Sequence, residues 1–132
     1  MNAIAEPIES PITMSMLDDI MDVFNRNDTD AIMSWFADDC RFDTTAGPDQ
    51  DGKSFYGQQD IRAAFSGLFS TVQSIRWDPV DTRIAGDKAF CELHRRAVLA
   101  SGEQQDWLSI DVLTFSDGKI TRKSSYAKRR TA

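Results

Sequence analysis

The residue with the most chemistry to offer is Asp111. It stands within Trp107-Leu108-Ser109-Ile110-Asp111-Val112-Leu113-Thr114-Phe115, which otherwise reads as a β-strand apolar on both faces. Trp107, Leu113 and Phe115 share its side, and Leu108, Ile110 and Val112 point the other way. An ionised carboxylate there is costly to bury unless paired, hydrogen-bonded or held neutral. If Gly102-Glu103 is a two-residue turn, His94 lies opposite Asp111, with Glu92 and Arg96 on the same face; a slip of two residues puts Glu92 opposite instead. After the last turn, either Ser124 or Lys123 aligns with Asp111. A lysine there favours the ionised carboxyl, whereas apolar neighbours alone favour the neutral one. Asp111 beside His94, the chain's one histidine, suits general acid/base chemistry. The structural alternatives are an Asp111 that only pairs with His94, Lys123 or Arg96, and a His94 merely satisfied on the sheet.

The elements that must position these groups fall into two halves. Ser15 can cap a first helix with Leu17, Ile20, Met21 and Phe24 on one face. Asp28 or Thr29 caps a second, whose Ile32, Trp35 and Phe36 face inward and which ends at Asp38-Asp39. Arg41 to Thr44 reads as a short strand and Ala46 to Lys53 as a loop. Gly57 precedes a third helix with Ile61, Phe65, Leu68 and Val72 at helical spacing. From Ile75 onward the pattern alternates, broken by turns at Ala85–Lys88, Ser101–Glu103 and Asp117-Gly118. Pro79 implies a bulge or an edge. Helices first and an antiparallel meander second predict an α+β fold. Residues 15–128 form the single expected domain, after a flexible arm over 1–14 and before a tail over 129–132.

One sheet face then carries a polar centre of Glu92, His94, Arg96 and Asp111 with an apolar rim, which suits a ligand pocket. Trp35, Phe65, Phe69 and Trp107 are the aromatics that could clasp a flat, hydrophobic molecule, though such residues are more often core. The other face carries Cys91, Leu93, Arg95, Ala97 and Leu99 beside Leu108, Ile110 and Val112. It is mostly apolar, and so a homodimer built through the convex sheet face is expected.

The chain has 132 residues and a net charge of −6, which argues against nucleic acid. No apolar run approaches membrane-spanning length, and the start lacks the order of a signal peptide. Cys40 and Cys91 are in no metal spacing and read as reduced, buried thiols, so a cytoplasmic setting is expected. Asp38 and Asp39 have no neighbours to complete a metal site, and Asp49-Gln50-Asp51-Gly52 lacks the rest of a calcium loop. No cofactor is called for.

Asp28-Thr29-Asp30-Ala31-Ile32 leading to Trp35-Phe36-Ala37-Asp38-Asp39, Gly57 opening a helix with Ile61-Arg62, then Asp111-Val112-Leu113-Thr114-Phe115 and Gly118-Lys119-Ile120, resemble the SnoaL-like and ketosteroid-isomerase-like superfamily, also called the nuclear transport factor two-like fold. The resemblance spans roughly Ser15 to Lys128. It implies a cone: three helices on the concave face of a curved antiparallel sheet, with a pocket in the hollow. It implies a small hydrophobic carbonyl compound as ligand, in an acid/base isomerase or a polyketide-cyclase-like enzyme; a non-catalytic binding or dimerisation module is the alternative. In ketosteroid isomerases an aspartate at the position of Asp111 is kept protonated and donates to the substrate oxyanion, an example of a carboxyl held neutral by an apolar site. Two other catalytic positions depart from that pattern: the proton-shuttling carboxylate falls at Thr44, one residue from Asp43, and the oxyanion tyrosine near Ile20. SnoaL-like cyclases use a pocket aspartate, some with a histidine nearby. Epoxide hydrolases of this fold use an Asp-Arg-Asp set, of which Arg96 and Asp111 match a part.

Overall fold

The computed structural model describes residues 11–130. Three helices precede most of a six-stranded sheet. The helices are α1 (Met14–Asn25), α2 (Thr29–Met33) and α3 (Gly57–Ser70). The strands are β1 (Phe36–Asp43), β2 (Ser54–Tyr56), β3 (Val72–Ala85), β4 (Lys88–Leu99), β5 (Gln104–Ser116) and β6 (Lys119–Lys128). The sheet order is β2-β1-β6-β5-β4-β3. Every neighbouring pair is antiparallel except β1 and β6, which run parallel. The sheet is curved and unclosed, and the fold is the expected α+β cone.

The helices start where side chains can satisfy their first free N–H groups. Thr13 Oγ1 accepts from Met16 N at 3.2 Å, and so α1 opens before Ser15, the residue expected to cap it. Asp28 caps α2 by accepting from Ala31 N at 3.1 Å. The expected arm over 1–14 lies mostly outside the described residues. Its last part belongs to the fold, because Ile12 is buried in the core and Thr13 is the cap. Helix α2 stops at Met33, well before Asp38-Asp39, and the chain passes into β1, which pairs with β6 from Phe36 onward. Asp38 and Asp39 are thus exposed strand residues rather than helix terminators. The loop after β1 turns at Gly52, where φ is +79° and a Cβ would lie 2.2 Å from the Thr44 carbonyl oxygen, so only glycine fits. That turn returns the chain as β2, a strand too short to leave an alternating pattern in the sequence.

The core lies between helices and sheet. Phe65 of α3 is its hub, edge-on to Phe24 at 5.2 Å and tilted against Phe42 at 5.0 Å. Such ring pairs each add about 0.5–1.5 kcal/mol beyond the area they bury. Two side-chain staples fix the helices to the sheet. Asn25 accepts from Trp77 N at 2.8 Å and donates to Trp77 O at 2.9 Å, tying the end of α1 to β3. Gln58 donates to Phe36 O at 2.8 Å, tying the start of α3 to β1.

Strand register decides which side chains face the core. The β4–β5 connection is three residues, Ala100 to Gly102, closed by Leu99 N on Glu103 O at 2.8 Å. Gly102 takes φ +91°. The two-residue Gly102-Glu103 turn expected from the sequence does not form. The register differs from it by an odd number, and every side chain of β4 is turned over relative to β5. Cys91 lies opposite Asp111, and His94 opposite Leu108. The last hairpin does turn on Asp117-Gly118, with Ser116 opposite Lys119. A bulge at Thr121 then shifts the pairing by one, so that Ser125 lies opposite Asp111, where Ser124 or Lys123 was expected. Pro79 sits on edge strand β3 beside a second bulge.

Candidate functional site

Asp111 points into the hollow between sheet and helices and is buried. Lys123 lies on the same face, one diagonal step away on β6, and its Nζ is 3.2 Å from Asp111 Oδ2. Ser125 completes a triangle. Its hydroxyl donates to Asp111 Oδ1 at 2.7 Å and accepts from Lys123 Nζ at 2.8 Å. Both carboxylate oxygens therefore face donors, so Asp111 acts as an acceptor here, not as a donor. The Lys123 ammonium also rests over aromatic faces, 4.9 Å from the Phe42 ring centre and 5.6 Å from Phe24.

Two adjoining spaces reach this triangle. One, of about 30 Å³, is lined by Asp111, Lys123, Cys91 and apolar side chains of α1, Ile20 among them. The other holds about 150 Å³, and its apolar lining includes Phe24, Phe65, Trp77 and Trp107. Its polar lining comprises Thr45, Arg95, Ser109 and Ser125 as well as Asp111 and Lys123. Arg95 stacks on Trp107, 4.2 Å from the ring centre, and donates to Gln105 at 3.0 Å. Burial pushes its guanidinium down from the ordinary value, and nearby Arg129 adds to the effect.

Of the residues expected at the site, Asp111, Lys123, Phe65 and Trp107 meet in this hollow. His94, Glu92 and Arg96 do not. The odd register places them on the outer face with Leu108, Ile110 and Val112. There His94 Nε2 bonds Asp106, and Arg96 pairs with Asp78. Trp35 and Phe69 pack against the core outside the walls of the larger space. The expected outer set of Cys91, Leu93, Arg95 and Ala97 faces inward instead. Arg95, Ser125, Phe24, Phe42 and Trp77 were not picked out from the sequence. Arg95 and Ser125 could be placed only by knowing the loop length and the bulge.

Cys91, directly across from Asp111, is no nucleophile. Burial first, then the Asp111 charge, pushes its thiol up to about 11. A second acid, Asp43, is buried on the opposite face of β1 from Phe42. Ser54 and Arg41 donate to its Oδ1 at 2.6 and 2.7 Å, and Arg122 donates to Oδ2 at 2.6 and 2.9 Å. Burial alone would raise this carboxyl, but the Ser54, Arg41 and Arg122 hydrogen bonds outweigh it and hold it below the usual range. Thr44, at the position of the isomerase base, is spent on the loop, where Lys53 N donates to its hydroxyl and the hydroxyl donates to Ala46 O. Among the described residues, no three or more His, Cys, Asp or Glu side chains gather as a metal site, and no helix is long and apolar enough to cross a membrane.

A family model for the SnoaL-like domain matches residues 17–123. The chain belongs to the SnoaL-like family. No curated protein matches it. Solved structures share its fold at low identity. An NTF2-like protein of unknown function from Mesorhizobium loti is 24% identical, with a TM-score of 0.68 over 86% of this chain and 88% of that one. A candidate polyketide cyclase from Xanthomonas campestris is 19% identical, with a TM-score of 0.75 over 85% and 87%. A candidate isomerase from Bacillus subtilis is 17% identical, with a TM-score of 0.71 over 86% and 84%. These likenesses bear on the fold of this SnoaL-like chain. Its chemistry has to be argued from Asp111, Lys123 and their neighbours.

Proposed function

We propose that the hollow binds a small carbonyl compound and that Asp111 acts on it as a general base. The observation that carries this reading is the buried triangle of Asp111, Lys123 and Ser125. The carboxylate keeps lone pairs beyond the two that face Ser125 and Lys123, and one of these can take a proton from carbon next to a carbonyl. The enolate that forms needs a positive or donating group beside it. Ile20, at the position of the oxyanion tyrosine, cannot donate, and Lys123 and Ser125 are the donors bonded to Asp111 itself, so we assign them that task. A cavity of ~150 Å³ is known to admit a benzene-sized guest, so the adjoining space suits one ring rather than a fused polycycle. The reaction class is proton transfer of the isomerase or cyclase type, in keeping with the names of similar folds. Buried, free Cys40 and Cys91 suit a reducing, cytoplasmic setting.

The test is proton exchange. One-ring ketones and 1,3-dicarbonyl compounds are incubated with the protein in D2O, and loss of the proton next to the carbonyl is followed by NMR. The wild type accelerates exchange, and Asp111→Asn lowers the rate by roughly 10²–10⁴-fold. Equal rates in the two proteins would exclude the base.

A second reading is favoured by the tightness of the space against Asp111, about 30 Å³. Here the ion pair holds β5 and β6 in register, and the hollow is a binding or structural core without turnover. Binding of the same ketones with no exchange above buffer would support it.

We also propose a homodimer through the outer sheet face. Leu108 and Tyr126 stand 52% and 56% exposed there, beside half-buried Ile110 and Val112. These four form an apolar patch bordered by Glu92 and His94, and a contiguous patch of this kind is a candidate contact surface. Sedimentation should give a dimer at micromolar concentration, and Leu108→Asp a monomer; a monomeric wild type would exclude the arrangement.

A further inference from the structure

Every described arginine from Arg26 to Arg122, apart from Arg95, sits in an ion pair with an aspartate. Arg95 has no carboxylate within ion-pair distance among the described residues. Its contacts are an amide oxygen, that of Gln105, and the face of Trp107. Within that span, the arginine with no counter-charge is thus the one that lines the hollow. This contrasts with the rest of the molecule. The chain carries −6 overall, yet the larger space is lined by two cations, Arg95 and Lys123, and one anion, Asp111. Asp111 and Lys123 answer each other at 3.2 Å, which leaves Arg95 as the unanswered charge. Arg129, 4.8 Å from the same Trp107 ring, adds a second cation at that end.

A half-buried guanidinium without a counter-ion is costly, and a planar carboxylate is the group that its fork of donors fits best. The Trp107 ring holds the guanidinium plane in place, so a carboxylate would meet donors already oriented. We infer that the hollow takes a one-ring-sized carbonyl compound bearing a carboxylate, with Arg95 as the residue that binds the carboxylate. This rests on the reading of the hollow as a ligand site. It narrows the substrate class from small ketones to small keto acids, with or without an aromatic ring. It also divides the site: Arg95 anchors the anion at the mouth, while Asp111 and Lys123 face the reacting carbon further in.

The probes are benzoate and benzamide, equal in shape and unequal in charge, titrated into the full-length protein and followed by the fluorescence of the lining tryptophans. Benzoate should bind about tenfold or more tightly than benzamide, the scale of a charged hydrogen bond. Arg95→Gln should abolish that preference, bringing the two probes to the same affinity, and Arg95→Lys should keep part of it. Equal binding of the two probes to the wild type would overturn the inference and leave the ligand-site reading standing. Binding of neither would overturn both. A preference that survives Arg95→Gln would overturn the assignment to Arg95. Should that variant fail to fold, NMR of the wild type decides instead: benzoate must shift the Arg95 side-chain N–H and the Trp107 indole resonances, and shifts confined elsewhere overturn the inference.

Discussion

Lys123 Nζ stands 3.2 Å from Asp111 Oδ2, with the Ser125 hydroxyl bonded to both. Each side chain is nearly buried, at 10% and 12% exposed, so solvent screens the pair little. Removing one partner strands the other charge, which typically costs about 3–5 kcal/mol, whereas replacing both by neutral groups costs far less. Lys123→Met should therefore destabilise the fold by about 3 kcal/mol, and Lys123→Met with Asp111→Asn should recover most of the loss. Urea unfolding of the two single variants and the double variant measures the coupling. Additive losses would mean that the pair is not coupled.

Asp43 gives the fold an acid limit. Its carboxyl is held below its unfolded value by Ser54, Arg41 and Arg122 against the cost of burial. A depressed carboxyl contributes stability that is fully present above the unfolded pKa, ~3.9. That stability is lost as pH falls through the lower, folded value. Asp43→Asn should thus be less stable at pH 7 by about 3 kcal/mol, and the gap to wild type should close below pH 4. Thermal melts at pH 7 and pH 3 test this; a gap independent of pH would rule it out.

His94 belongs to the outer surface. It faces Leu108 and bonds Asp106, and the sheet separates it from Asp111. His94→Ala should leave the rate of α-proton exchange, and its pH profile between 5 and 8, unchanged. A profile that loses a limb would show that the imidazole reaches the reacting proton.

The Cys91 thiol should be inert. With its pKa at about 11, only a small fraction ionises at pH 8, and the side chain is buried. A disulfide reagent at pH 8 should label the folded protein no faster than global unfolding permits. Rapid labelling of Cys91, located by mass spectrometry, would contradict the burial.

The fold was legible because its signals are local. Helical spacing in Leu17–Phe24 and Ile61–Phe65, the Asp28 cap, and the glycine-containing turns at Gly86 and Gly118 each survive in a short window of sequence. Asp111 was legible for the same reason: one acid in a doubly apolar strand announces a special environment. Its partners were less so. Lys123 is one of two partners the last turn allows, whereas a two-residue turn before β5, one residue shorter than the real one, puts His94, Glu92 and Arg96 on the wrong face. Nothing in Ala100-Ser101-Gly102-Glu103 says which residue closes the loop, and alternation turns one odd step into a complete exchange of faces. The Thr121 bulge, which brings Ser125 to Asp111, likewise has no glycine or proline to mark it.

That three-residue connection from Ala100 to Gly102 is held to its length by the strand it leaves. Gaining or losing a single residue there while keeping the turn tight would set Glu92, His94 and Arg96 against the hollow and push Ala89, Leu93 and Ala97, all buried, out to solvent, so the apolar face of β4 opposes the exchange.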